Sequence, residues 1–281
     1  MAETGGARYR GGCGDPLLLI HGAFYTWRAW EALLPDLERS FAVLAPTLLG
    51  HLEGDRLPVG VATGIETLAD GLERELDLAG WDTAHIAGSS LGGLLALELA
   101  QRGRARSVVA LAPGGDRPGS RYGERRIAVI FTVAHALARR LLPHADRLCA
   151  RARGRRLLLS WVCAHPERLS GAQAALAVRA MAQCPTYIGL KRAIPPPSAR
   201  ELDQVGCPVL LAWSTKDRVL PFKRYGRTYR EALPFAELRM LHDVGHVPMM
   251  DDPAGIATLI RDFVTRSATP GALAGAEHKA P

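Results

Sequence analysis

Short apolar runs alternate along this chain with longer segments whose apolar positions recur every three or four residues. The runs at residues 17–20, 41–45, 83–87, 107–111, 208–213 and 236–241 are leucine-rich or β-branched, and each closes near Gly, Pro or a polar turn, which predicts buried strands. The segments between them predict helices at 27–39, 65–79, 91–102, 222–233 and 253–265. Strands that are apolar on both sides and separated by helices imply a mainly parallel sheet covered by helices on both faces. In such sheets, binding and reaction sites collect at the carboxyl ends of the strands.

The alternation stops between residues 114 and 197, a helical and arginine-rich interval too long for a loop. It predicts an inserted helical lid, so that residues 1–113 and 198–266 form the core and 114–197 the lid. A helix is expected at 124–142, with Ile127, Ile130, Phe131, Ala134, Ala138 and Leu141 along one side and Val129, Val133 and Leu137 broadening that stripe. Pro195-Pro196-Pro197 reads as a stiff return linker. Residues 267–281 are Ala/Gly-rich and read as a fraying tail.

Composition narrows the class. The 281 residues, 48% apolar and 22% charged, can bury a substantial core, which argues against disorder. The longest apolar stretch, residues 127–138, is too short to cross a bilayer, and the first residues lack the apolar centre of a secretory signal, so a soluble cytoplasmic protein is the expectation. Five cysteines, Cys13, Cys149, Cys163, Cys184 and Cys207, are scattered without CxxC spacing and read as reduced thiols, with no metal site.

The net charge of +7 is unevenly spread. Residues 101–160 hold 14 Arg and no Lys against three acidic residues, a local charge of +11 that leaves −4 for the rest. Arg outnumbers Lys 31 to 4 in the whole chain, as a GC-rich genome would produce, but codon bias does not explain the clustering. A solvated basic lid face, a funnel for anionic substrates and docking on an anionic membrane surface are the available readings. Nucleic acid fits poorly, because no recognition motif is present and aromatics do not interleave with the basic run.

Gly88-Ser89-Ser90-Leu91-Gly92-Gly93 follows one predicted strand and opens the helix LLALELAQR. This is G-x-S-x-G in the strand–turn–helix setting that the chemistry needs. A serine at such a turn sits in a strained backbone with its hydroxyl projecting from the sheet edge, and the glycines remove side chains that would clash. The helix start points amide N–H groups and a positive dipole end at any developing oxyanion. A serine hydroxyl also needs a base, and the base needs an orienting partner. The loop after residues 208–213 supplies Asp217, and the loop after 236–241 supplies His242, Asp243 and His246. His242 is a rival base, Asp243 a rival acid, and His242 with His246 mimics a metal pair that lacks a third ligand.

Leu18-Leu19-Ile20-His21-Gly22-Ala23, Gly88–Gly93, Asp217 and Gly245-His246, in that order, resemble the α/β-hydrolase superfamily across roughly residues 15–266. The resemblance implies Ser90 as nucleophile, His246 as base and Asp217 as acid, with the oxyanion hole formed by the Ala23 and Leu91 amides and Phe24 as runner-up to Ala23. Phe24, Tyr25 and Ser89 become candidate substrate-binding residues, His21 a structural ring, and Trp27 and Trp30 packing residues. Relatives usually carry two or more strands before the His-Gly strand, whereas here only residues 7–10 offer one, so a sheet of about seven strands is expected. Branches with an Asp nucleophile, dehalogenases and epoxide hydrolases, are disfavoured by Ser90. The leading expectation is a serine hydrolase that needs no cofactor and acts on a carboxylic ester or related carbonyl substrate with a hydrophobic acyl or ring portion. C–C hydrolysis of a ring-cleavage product, whose anionic end the lid arginines could hold, and a non-catalytic ligand-binding protein remain the alternatives.

Overall fold

The computed structural model describes residues 3–268 apart from residues 6, 58–59, 62, 116–120, 185–201 and 203. Its strands are β1 (Glu3–Gly5), β2 (Arg8–Gly12), β3 (Asp15–Ile20), β4 (Phe41–Pro46), β5 (Ala84–Ser89), β6 (Ala105–Leu111), β7 (Val209–Ser214) and β8 (Glu237–Leu241). They form one sheet in the order β1-β2-β4-β3-β5-β6-β7-β8, parallel from β4 to β8 and antiparallel at β1–β2 and β2–β4. The eighth strand lies at the amino-terminal edge, where Glu3–Gly5 folds back on Arg8–Gly12. Three residues, two of them polar and one glycine, carry no period-two signal, so this strand is set by pairing alone.

Alternate residues of the central strands feed opposite faces, as the pleat requires. Leu18, Ile20, Ile86 and Val108 pack on α2 (Ile65–Leu78) and α3 (Leu91–Gln101). Leu17, Leu19, Ala87 and Val109 pack on Trp27, Trp30, Leu37 and the carboxyl-terminal helix Pro253–Ala268. Both tryptophans are core residues, 2% and 0% exposed. The segment expected to be one helix at 27–39 starts as a 3-10 turn, Trp27–Leu33, before α1 (Leu34–Leu37). The helix expected at 222–233 is confined to Gly226–Ala232, because Phe222 and its neighbours turn back on β7, its ring 5.8 Å from Trp213.

Between β6 and β7 the described chain is helical: α4 (Arg121–Leu141), α5 (Ala145–Cys149), α6 (Ala152–Leu159) and α7 (Gly171–Ala182). These helices have a small core of their own around Ala145, Cys149, Leu158, Ala174 and Val178. α7 starts with a reciprocal cap in which Ser170 Oγ accepts the Gln173 amide and Gln173 Oε1 accepts the Ser170 amide. The insertion is tied to the sheet edge by Arg126, whose guanidinium donates to the carbonyls of Val219 and Arg218 at 2.6 and 2.7 Å. The triple proline and residues 269–281 of the expected tail lie outside the described residues, and the helix Pro253–Ala268 continues through the tail's first two positions. Among the described residues no helix is long and apolar enough to cross a membrane.

Candidate active site

Ser90 follows the last residue of β5 and has φ 55° and ψ −116°, a conformation that costs a non-glycine residue about 1–3 kcal/mol. Its neighbours hold it there. The Ser90 amide donates to Leu111 O at 2.9 Å, and its carbonyl accepts from Leu94 and Gly114 at 3.1 and 2.8 Å. The turn also demands glycine at two flanking sites. A Cβ on Gly88 would stand 2.0 Å from Gly92 O, and one on Gly92 would stand 2.1 Å from Ile20 O. Leu91 opens α3, so its N–H is one of the helix's unpaired first-turn amides, beside Ser90.

The parallel register carries β7 and β8 to the same edge as β5. The β7 loop places Asp217 with its side chain fully buried. Its Oδ1 accepts the amides of Val219 and Leu220 at 2.8 and 2.7 Å, and its Oδ2 accepts Nδ1–H of His246 at 2.8 Å. A carboxylate can only accept here, so the proton is on Nδ1 and Nε2 is the basic nitrogen. Trp213 Nε1 braces this loop by donating to Leu220 O at 2.7 Å.

The rivals point elsewhere. Asp243 is exposed, has φ 60°, and pairs with Lys216 and, at 3.0 Å, with His165 Nε2. Those two partners, Lys216 first, hold its carboxyl below the usual range. His242 is exposed at the end of β8, and the ring of His246 is committed to Asp217, so the two histidines do not form a metal pair. Among the described residues no group of three or more His, Cys, Asp or Glu side chains is placed to hold a metal ion. No disulfide joins the five cysteines.

His21 is fully buried and uses both nitrogens to shape the loop after β3. Nδ1–H donates to Gly22 O at 2.7 Å, and Nε2 accepts the Leu48 amide at 3.0 Å. Burial, with His51 5.2 Å away ring to ring, pushes its pKa down to about 3. The loop that follows places Ala23, Phe24 and Tyr25 on the wall of a cavity of about 430 Å³, which Ser89, Ser90 and His246 also line. Phe24, in left-handed conformation at φ 63°, meets Phe131 of α4 edge to face at 4.9 Å. The rest of the wall comes from the insertion, including Ile130, Ala134, Trp161, Val178 and Met181, and from Met249 and Met250. No charged side chain lines it among the described residues, so the described arginines of the insertion lie outside the cavity rather than in it.

One residue of the site escapes sequence reasoning. Asp251, only 5% exposed, accepts the amides of Ala164, His165 and Gly245 at 2.8, 2.7 and 2.7 Å. The signal was present in Asp251-Asp252-Pro253. Asp252 caps the following helix, accepting the Gly255 amide at 3.0 Å, which leaves Asp251 without a local role.

Comparison with known proteins places the chain in a family. The sequence matches the alpha/beta hydrolase family over residues 17–259. It is 37% identical over 209 residues to the epoxide hydrolase EphH of Mycobacterium tuberculosis, covering 70% of this chain and 93% of that protein. Among solved structures it resembles a thermophilic esterase from Thermogutta terrifontis, at TM-score 0.71 and 22% identity over 94% of each chain. A meta-cleavage product hydrolase from Pseudomonas fluorescens IP01 superposes at TM-score 0.72 and 20% identity, over 92% of this chain and 94% of that one. At those identities the two structures speak to the fold alone.

Proposed function

The chain belongs to the α/β-hydrolase family, and we propose that within it the protein is a serine hydrolase that cleaves a carboxylic ester with a hydrophobic acyl or ring portion, without a cofactor. The observation that carries this reading is a strained Ser90 sharing one apolar cavity with His246, whose far nitrogen is bound to the buried Asp217.

Nε2 of His246 takes the Ser90 proton as Oγ attacks the ester carbonyl. Asp217 keeps the imidazole in the required tautomer and stabilises the imidazolium through Oδ2, while its Oδ1 is held in place by the Val219 and Leu220 amides. The Leu91 and Ala23 amides receive the oxyanion, a contribution worth roughly 100- to 1,000-fold in rate per donor. His246 returns the proton to the leaving alcohol, then activates water to release the acid. The helical insertion is a lid in this reading, and its apolar wall selects the acyl portion.

The apolar cavity wall favours this reading over C–C hydrolysis of an anionic ring-cleavage product. A carboxylate buried there would meet no cation among the described residues, at a cost of several kcal/mol. An epoxide is the substrate suggested by the name of the 37%-identical relative. Ser90 argues against it. A serine that opened an epoxide would be left as an ether, with no carbonyl for water to attack, whereas a carboxylate nucleophile would leave a hydrolysable ester.

The test is labelling by a fluorophosphonate probe, wild type beside Ser90→Ala and His246→Ala, followed by matched panels of esters and epoxides. Labelling lost in both variants and turnover of esters is the expected result. Folded wild-type protein that takes no label, or that turns over epoxides alone, overturns the reading.

A further inference from the structure

The lid helix α4 has a second apolar stripe that packs on nothing. Val129 and Val133 are 60% exposed and Leu137 46%, although all three line the cavity. Leu157 on α6, 78% exposed, belongs to the same rim. At about 100° per residue, Val129, Val133 and Leu137 lie within a quarter turn of one another, Arg140 falls inside that exposed arc, and Arg125 lies about 40° to one side of it. Arg153 lies one turn before Leu157 on α6. These three arginines are exposed and make no ion pair among the described residues. The nearby acids are spent, Asp146 on Arg179 and Glu167 on Arg156.

We propose that this rim docks on an anionic lipid bilayer, with Val129, Val133, Leu137 and Leu157 entering the headgroup region and Arg125, Arg140 and Arg153 on lipid phosphates. The cavity mouth then opens against the membrane, and an acyl chain passes from lipid to the site without crossing water. Charge selects the occupant. A second copy of the chain would set Arg125, Arg140 and Arg153 against the same three arginines. An acidic soluble protein would answer the arginines but leave four aliphatic side chains facing a polar surface, whereas the bilayer answers both. Docking, not spanning, is the mode, since no described helix is long and apolar enough to cross.

The experiment is co-sedimentation with phosphatidylcholine vesicles, with and without phosphatidylglycerol. Binding is expected with the anionic lipid only, weakening as salt rises. A surface arginine contributes roughly fivefold to partitioning, so Arg125→Ser with Arg140→Ser lowers it roughly 30-fold while turnover of a soluble short ester is kept. Val133→Glu with Leu157→Glu abolishes binding, whereas Leu78→Glu, at a 66%-exposed leucine on α2, leaves it intact. The proposal rests on the cavity mouth and not on the nucleophile, so Ser90→Ala, dead as an esterase, still sediments. Failure to sediment with anionic vesicles, equal loss in the Leu78 variant, or binding of an acidic carrier protein in place of vesicles overturns it.

Discussion

The carboxylate of Asp251 accepts the amide of Gly245 at 2.7 Å, one residue before His246, and so joins the base to the helical insertion. The same carboxylate takes the amides of Ala164 and His165, and a Cβ on Gly245 would lie 2.6 Å from Val162 O. The position of His246 therefore depends on a buried charge whose three partners come from two separate parts of the chain. Asp251→Asn keeps one acceptor oxygen and turns an NH₂ toward amide donors. It should cost about 3 kcal/mol in urea denaturation. If Asp251 positions the base, kcat also falls roughly 10- to 100-fold well below the melting temperature. Lost stability with kcat unchanged would reduce it to a structural residue.

Ser90 stores strain, and removing it should show. Ser90→Gly relieves the positive φ, and after the extra freedom of the unfolded glycine a net gain of about 1 kcal/mol remains. Ser90→Ala keeps the same backbone and gains nothing. Thermal denaturation of the two variants side by side separates backbone strain from loss of the hydroxyl, and both variants should be inactive toward esters.

Acid should unfold the protein through two buried rings. Burial holds His21 at about 3 and His51 at about 4, against an ordinary value of 6.5. The unfolded chain takes up these protons below pH 6.5 and the folded chain does not, so stability is full above 6.5 and is lost as pH falls toward 4. The loss is up to about 1.4 kcal/mol per pH unit for each ring. His51→Asn should reduce the slope of stability against pH by up to that amount between pH 6 and pH 4. An unchanged slope would mean the ring is protonated in the folded state.

The cavity wall sets a chain-length prediction. Ala134 on α4 is half-buried and faces the cavity, so Ala134→Phe should shorten the preferred acyl chain. Each methylene excluded should cost roughly fourfold in kcat/KM, from about 0.8 kcal/mol per buried CH₂. The check is a p-nitrophenyl ester series; uniform loss at every chain length would show damage to the site instead.

The elements whose cause is local were readable from the residues. The six strand runs alternate with helical periodicity, and the turn around Ser90 carries the glycines that its geometry needs, so parallel sheet, elbow and the chain order Ser90, Asp217, His246 were all legible. The strand Glu3–Gly5 was not, because only pairing with Arg8–Gly12 makes it a strand. The preference for Asp217 over Asp243 rested on chain order and on the resemblance, and the fold supplies the physical reason, aiming one at His246 and the other at Lys216 and His165. The α4 pattern showed one broad apolar stripe; packing buried one side of it and left Val129, Val133 and Leu137, at the edge of the cavity, open to solvent. Asp251 shows the same division in a single residue, since its three amide partners meet only when the insertion closes on the loop of His246. Periodicity and turn chemistry are written between near neighbours, whereas a buried charge or an uncovered face is decided by what distant segments bring to it.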